Sequence, residues 1–200
     1  MDATVPPVVF VVTWLAAGGS VGWAGAAALL AGLVVAVVRW RRGERPRAVL
    51  LGLLGVAVAV VVAVRTGRAA DFFAVQLAAN VASALAWAVS IAVRWPLLGL
   101  VVGAVLGQRT RWRRDPDLVR GYGVASWAWV GQYTVRIVVF GLLYWASFHW
   151  DGAVVALGVA RVALTWPLIA VCLAVSWWLL RRSLPPDHPG LRHPRVPDRA

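Results

Sequence analysis

The chain has 200 residues, of which 61% are apolar types and 14% are charged, and its mean hydropathy is +0.76. A chain with so few charged residues cannot cover itself with a surface that is compatible with water. The composition therefore excludes a soluble globular domain. It indicates an integral membrane protein, because uncharged stretches recur and several reach the roughly 20 residues that cross a ~30 Å hydrocarbon layer as helix.

The positive charge of the chain lies in clusters. The formal net charge is +12, and all 20 basic residues are arginines. Fifteen of them fall in three clusters at the ends of apolar stretches, at residues 39–47, 109–120 and 181–199. Basic loops stay on the cytoplasmic side of a membrane. The pattern predicts a cell-membrane protein whose 39–47 and 109–120 loops and C-terminal tail are cytoplasmic, and it argues against nucleic acid as a partner.

The first apolar block, residues 5–38, is too long for one crossing and short for two. Gly18-Gly19-Ser20 divides it. We therefore predict a short, tilted or re-entrant helix over residues 5–17, followed by a full span over residues 21–38. The side of the amino terminus stays open between six helices with the terminus inside and five spans with it outside.

The rest of the chain predicts four more spans, at residues 48–64, 72–93, 124–147 and 153–180, with a kink in the last at Pro167. Residues 97–107 are apolar but too short to cross, which favours an interfacial or re-entrant helix. The predicted fold is an all-α polytopic membrane helix bundle of five full spans, a short N-terminal helix and an interfacial helix. This transmembrane domain covers residues 1–182, and the Pro/Arg-rich residues 183–200 are predicted to be a disordered cytoplasmic tail.

Two arginines and an asparagine lie deep inside predicted spans: Arg136, Arg161 and Asn80. A central arginine costs about 2.5–3.5 kcal/mol to insert, so each should face the bundle interior and find a partner. With Asp71 at the outer mouth, these residues predict a polar cavity that suits a phosphate or carboxylate. The alternative is structural, in which Arg136 pairs with Asp71 or bonds to Gln132 and helix carbonyls and only fixes helix packing.

The loop before the 72–93 span has the densest polar pattern, formed by Arg65, Thr66, Gly67, Arg68 and Asp71. Its glycine and paired arginines suit an anion at the outer leaflet, with Asp71 capping the next helix. In the alternative interpretation Asp71 is only a helix cap and the arginines contact lipid headgroups.

Small residues recur at four-residue spacing on two predicted helices. Such spacing lets helix backbones approach closely, and it predicts contacts between helices. The residues are Ala24, Ala28 and Gly32 on one helix, and Gly99, Gly103 and Gly107 on the other.

Enzyme signatures are mostly missing from the sequence, which has no His/Cys cluster, no HExxH motif and no P-loop. His149 and Asp151 suit a solvated loop, and chance composition explains His188 and His193 better than metal binding does. We therefore expect a protein that is not an enzyme and that holds no metal or cofactor.

A series of motifs runs along most of the chain, to about Leu180. They are Arg65-Thr66-Gly67-Arg68-Ala69 through Phe73, Asn80, Arg94-x-Pro96-Leu97-x-Gly99, Trp112-Arg113-x-Asp115-Pro116, Trp127-x-Trp129, Arg136, Tyr144, Gly158-x-x-Arg161 and Pro167-Leu168. Together these motifs resemble a family of actinobacterial integral membrane proteins, the domain of unknown function 3159. The resemblance implies a multi-pass membrane fold without naming an activity. In span layout the chain is also similar, more distantly, to intracellular septation protein A.

Two functions follow as expectations. The missing catalytic signatures and the distant similarity favour a non-enzymatic protein that supports envelope assembly or cell division by binding membrane protein partners or a second copy of itself. The alternative is a small transporter or a protein that binds anions or anionic lipids in the cavity of Asn80, Arg136 and Arg161.

Overall fold

The computed structural model describes residues 4–43, 46–150 and 152–195, and only the backbone of residues 46–49. These residues form helices and turns throughout, which confirms the all-α prediction. The α-helices are α1 (Val5–Ala16), α2 (Val21–Arg41), α3 (Pro46–Thr66), α4 (Ala74–Ala92), α5 (Leu97–Val105), α6 (Pro116–Ala146), α7 (Ala153–Ala163) and α8 (Trp166–Ser183). Short 3-10 helices include Ala69–Phe73 and Arg111–Arg114.

Three segments among the described residues are long and apolar enough to cross a membrane: Val21–Arg41, Ala69–Ala92 and Ala153–Ser183. Two shorter apolar helices cover Val5–Ala16 and Leu50–Thr66. The chain therefore has the helices of a membrane protein. The five full spans predicted from the sequence are not established by these lengths and stay a prediction.

One predicted helix break is confirmed, and a predicted kink is a break in the structure. Gly18 and Gly19 have φ angles of 59° and 87°, in the left-handed region that glycine enters without steric cost, and they separate α1 from α2. The last apolar segment is predicted as one span with a kink at Pro167, but it is interrupted between Ala163 and Trp166, and Pro167 is the second residue of α8. Proline has no backbone N–H and its ring clashes with the carbonyl four residues earlier, so the α7 hydrogen-bond ladder cannot continue through it.

Helix α6 begins eight residues before the predicted span, at Pro116. Asp115 stands directly before it, and its Oδ1 accepts hydrogen bonds from the backbone N–H groups of Asp117 (3.1 Å) and Leu118 (3.3 Å). An aspartate cap followed by proline at the first helical position is a strong helix start. Hydropathy could not place this start, because the first turns of α6 carry polar residues and glycines.

The chain divides into two compact units. The first comprises Met1–Ala79 and Arg136–Thr165, and the second comprises Asn80–Val135 and Trp166–Ala200. The core of the first unit is aromatic: the ring of Phe10 stacks on that of Phe72 at 4.1 Å between centroids, and Phe73 meets Phe72 edge-on at 5.3 Å. Helices α2 and α3 pack closely, and Gly32 lies against Val56.

The core of the second unit is built around Trp112, whose side chain is fully buried. Its indole fills a notch left by Gly99 and Gly103 of α5, where an added Cβ would lie 2.7 Å and 2.8 Å from the ring. Tyr122 of α6 meets the indole edge-on at 5.4 Å. Of the small residues predicted for helix contacts, Gly99 and Gly103 pack against Trp112 and Gly32 packs against α3, while Ala24 and Ala28 are buried in the first unit. The prediction is wrong for Gly107, which follows α5 in an exposed turn with a φ of 68° and makes no such contact.

The C-terminal segment differs from the predicted disorder. Helix α8 extends to Ser183, and residues 184–195 lie in turns with defined contacts inside the second unit. Gln108 Nε2 donates to the carbonyl of Leu191 at 2.8 Å, and His188 contacts Asp115 at 3.0 Å. These contacts hold the segment as far as Arg195, and residues 196–200 lie outside the described part of the chain.

Candidate functional site

Arg136 and Arg161 line one cavity in the first unit. Its volume is about 160 Å³. Arg136 comes from α6 and Arg161 from α7, and Gln76 reaches the cavity from α4. The remaining lining residues are Thr4, Phe140, Leu164 and Thr165.

The guanidinium of Arg136 caps the end of α7. Its Nη2 donates to the carbonyl oxygens of Leu164 at 3.0 Å and Thr165 at 3.3 Å. The last carbonyls of a helix have no partner within the helix and carry the negative end of its dipole, so a cation there is favourable. This contact resembles the helix-carbonyl part of the structural interpretation, but the two carbonyls belong to the turn that follows α7.

The guanidinium of Arg161 is held from the side by α4. Arg161 Nη1 donates to Gln76 Oε1, and the hydroxyl of Thr165 donates to the Arg161 carbonyl one turn along. Gln76 lies one turn before Asn80 in α4, and nothing in the sequence joins it to Arg161, which lies 85 positions later. The Gln76 contact orients the guanidinium at the cavity wall.

A second cavity of the first unit, with a volume of about 280 Å³, shares Arg161 and Gln76 with the smaller one. Its other walls are mainly apolar and come from α1, α2, α3 and the segment that begins α4. Arg39, near the end of α2, also lines it. The Arg161–Gln76 pair thus borders both a small polar cavity and a longer apolar one.

The charged side chains Arg68 and Asp71 of the loop before α4 contact other residues of the first unit. Asp71 is 5% exposed, and its Oδ1 accepts a hydrogen bond from the Tyr144 hydroxyl at 2.6 Å, with Arg68 at 3.8 Å. Arg68 also lies 3.8 Å from the centroid of the Phe148 ring and donates to Ser147 Oγ at 3.4 Å. Asp71 therefore lies within a 3-10 helix and binds Tyr144, which corrects the prediction that it pairs with Arg136 or caps the next helix.

The other loop residues have local roles. Thr66 ends α3 and donates to the carbonyl of Val62 at 3.0 Å, and Gly67 turns the chain with a φ of 71°. Arg65 is exposed. Arg68 already contacts Asp71 and the Phe148 ring, so less of its guanidinium is available to an anion. An anion site at this loop stays a prediction.

Asn80 belongs to the second unit, in α4, and is 2% exposed. The arginines of the predicted cavity belong to the first unit. The structure therefore brings Arg136 and Arg161 to one cavity, and the participation of Asn80 stays a prediction.

A comparison with protein families shows to which family the chain belongs. The family model of a protein of unknown function, DUF3159, matches residues 1–187. The chain belongs to the DUF3159 family. No curated protein and no solved structure matches it. The more distant similarity to intracellular septation protein A therefore stays a prediction.

The structure joins two of the motifs by which this DUF3159 protein resembles its family. Gly99 of the Arg94–Gly99 motif receives the indole of Trp112, and the guanidinium of Arg113 lies 3.5 Å from the Trp95 ring centroid. Asp115 of the same second motif caps α6. These residues therefore have packing and helix-capping roles in the second unit, and these roles account for both motifs without a ligand.

Sequence reasoning missed a buried contact in this DUF3159 protein, between Asp115 and His188. Asp115 is fully buried and the His188 side chain is 1% exposed. Asp115 Oδ2 accepts from His188 Nε2 at 3.0 Å and from the backbone N–H of Arg195 at 2.7 Å. Burial alone raises the pKa of the Asp115 carboxyl, but these hydrogen bonds outweigh it and leave the pKa below its ordinary value.

Asp115, Asp117 and His188 also have the spacing of a metal site, with one ligand atom from each within 4.8 Å of the others. The oxygens of Asp115, however, already accept four hydrogen bonds, two from α6 and two from the C-terminal segment. His188 Nδ1 accepts the N–H of Gly190 at 3.0 Å. These hydrogen bonds explain the three residues as a junction between α6 and the tail. The only sequence signal for this junction is the Asp115-Pro116 dipeptide, which is typical of a helix start.

Proposed function

We propose that this DUF3159 protein is a multi-pass cell-membrane protein that binds the anionic group of a membrane amphiphile in its first unit, as a small transporter or a lipid-binding protein. The observation that carries the proposal is that Arg136 and Arg161 line the same cavity. Two guanidinium groups beside one small cavity attract a phosphate or carboxylate, and their planar donors match its oxygens.

The neighbouring apolar cavity supports an amphiphile rather than a free ion. It shares Arg161 and Gln76 with the polar cavity, and its walls are mainly aliphatic side chains of α2 and α3. An acyl chain along these walls would place its anionic end at Arg161. Intramembrane ionisable residues are expensive to insert and commonly mark a substrate or ion pathway.

The proposal includes the topology predicted from the sequence. We place five full spans in the membrane, with the arginine clusters of residues 39–47, 109–120 and 181–199 on the cytoplasmic side. The clustering of basic residues supports this orientation.

Binding can be measured by thermal unfolding in a neutral detergent with added dodecyl phosphate. A ligand that binds the native state raises Tm in a saturable way. We expect this shift with wild-type protein, and we expect the Arg161→Leu variant to require at least about tenfold more ligand, because a charge-assisted contact is lost. Inorganic phosphate, which lacks the acyl chain, should give a weaker shift if the apolar cavity contributes.

The matched control is Arg65→Leu, which removes an exposed arginine from the end of α3. It should bind like the wild type. Should Arg161→Leu fail to fold, Arg161→Lys keeps the charge and should bind more tightly than Arg161→Gln. Equal Tm shifts in wild type and in the Arg161 variants, or equal shifts with neutral dodecanol, would exclude the cavity as the binding site.

A role in envelope assembly or division through partner proteins is the second proposal. It is supported by the exposed apolar faces of α2 and α3, on which Leu30, Leu51 and Leu54 are 58–69% exposed. Such faces suit lipid or the helix of a partner. The small-residue contacts, by contrast, are already used within each unit.

A further inference from the structure

The second unit has a groove of about 490 Å³ between α5 and α8. Its walls are almost entirely apolar and include Val101 and Val105 of α5 and Leu173 and Trp177 of α8. All four of these side chains are exposed, so the groove opens along the surface of the unit. Its one charged lining residue among the described part of the chain is Arg192.

The C-terminal tail contributes to the lining of this groove. Leu191 and Arg192 both line it, although they follow α8 by several residues. Three hydrogen bonds fix the position of these two residues. Gln108 Nε2 donates to the Leu191 carbonyl, and His188 and the N–H of Arg195, which precede and follow the two residues in the chain, both bind Asp115. Part of the groove wall is therefore a segment that is fixed to the start of α6.

The apolar walls and the nearby arginines indicate what kind of ligand fits this groove. Arg192 lines the apolar groove, and the guanidinium of Arg181 lies 4.9 Å from the centroid of the Trp177 ring, which also lines it. An acyl chain is complementary to the walls and a phosphate is complementary to the arginines. Each basic residue near an anionic membrane surface contributes roughly fivefold in affinity.

We propose that this groove is a binding site for an anionic phospholipid, with one acyl chain between α5 and α8 and the phosphate at Arg192, and that the Asp115–His188 contact holds the tail in the position that completes the site. This site belongs to the second unit and does not depend on the anion cavity of the first. The tail then acts as part of the lipid site rather than as a passive extension.

The site can be tested with phosphatidylglycerol that carries a photoreactive diazirine on its acyl chain, in nanodiscs of phosphatidylcholine. Trypsin cleavage after arginine places the groove helices in peptides 95–109 and 162–181, whereas Arg161 and Gln76 fall in other peptides. We expect labelling of these two peptides, and we expect unlabelled phosphatidylglycerol to compete for it better than phosphatidylcholine does. Labelling confined to other peptides, or equal competition by the two lipids, would overturn the proposal.

Three variants separate the parts of the site. Arg192→Gln should lower the preference for phosphatidylglycerol about fivefold, and His188→Gln should lower it similarly, because the tail is released. Val101→Trp should block the labelling of both peptides, since Val101 is 54% exposed and a larger side chain there enters the groove without entering the core.

Arg120→Gln is the matched control, because Arg120 is exposed on α6 and lies outside the groove lining. It should leave labelling unchanged. Arg192 is also exposed, so its variant should fold even if His188→Gln does not. Unchanged lipid preference in Arg192→Gln, or unchanged labelling in Val101→Trp, would contradict the site. Loss of dodecyl phosphate binding by the Arg161 variants would leave it intact.

Discussion

Replacing Asp115 with alanine should destabilise the protein by about 3 kcal/mol and release its C-terminal segment. The substitution removes a helix cap, which costs about 1 kcal/mol, and it leaves the buried imidazole of His188 and the N–H of Arg195 without their acceptor, which costs about 1–3 kcal/mol. Stability is measured by unfolding in mixed micelles with increasing dodecyl sulfate. Release of the segment is measured as faster tryptic cleavage after Arg192 and Arg195.

The control for this prediction is Asp117→Ala. Asp117 lies two residues later and its backbone N–H donates to Asp115, but its own carboxylate is only partly buried. Its loss should cost less than about 1 kcal/mol, through the weakened interaction with the start of α6. If Asp115→Ala and Asp117→Ala unfolded alike and left the tail equally protected, Asp115 would not hold the tail.

A methyl group added at Gly103 should destabilise the second unit by about 2 kcal/mol. The added Cβ would lie 2.5 Å from the carbonyl oxygen of Arg109 and 2.8 Å from the Trp112 ring, so backbone or indole must move. Overpacking of this kind costs about 1–3 kcal/mol. Unfolding of Gly103→Ala in the same micelle titration measures the effect, and the near-ultraviolet circular dichroism of the tryptophans reports the displaced indole.

Gly131→Ala provides a control of opposite sign. Gly131 lies within α6, and a Cβ there meets nothing within 4 Å outside its own helix. Alanine favours helix over glycine by about 1 kcal/mol, so this variant should be more stable than the wild type. Two alanine variants with the same stability would show that Trp112 is not packed in the glycine notch.

The helices were predictable where apolar length and strong breaking residues coincide. Gly18-Gly19 and Pro167 act through the local backbone, so the end of α1 and a disturbance of the last span near Pro167 followed from the sequence, although the full break between α7 and α8 did not. The start of α6 did not follow from the sequence, because hydropathy marks only the apolar part of a helix and α6 begins eight residues before that part. The Asp115-Pro116 dipeptide carried the missing information as a cap and a first-turn proline.

The side-chain partners were harder to predict than the helices. Asp71 binds Tyr144 and Asp115 binds His188, each across 73 positions, and Arg161 binds Gln76 across 85. Only the packing of helices brings such residues together, and a single sequence specifies it weakly. The rule that a buried arginine needs a partner was correct for Arg136 and Arg161, but it did not say which atoms would supply the hydrogen bonds.

The proposed threading of the chain through a bilayer is tested most directly by the side from which exposed positions react. In a Cys172→Ala background, single cysteines are placed at exposed positions and treated with a membrane-impermeant maleimide in right-side-out and inside-out vesicles. The positions on the proposed cytoplasmic side are Arg42, Thr110 and His193, and those on the proposed outer side are Thr66 and His149.

Cysteines at positions 42, 110 and 193 should react only in inside-out vesicles, and those at positions 66 and 149 only in right-side-out vesicles. This result would place all three arginine clusters on one side of the membrane, as the basic-loop rule requires. Reaction of any of the first three from the same side as position 149 would contradict the threading, as would reaction of all five in both kinds of vesicle.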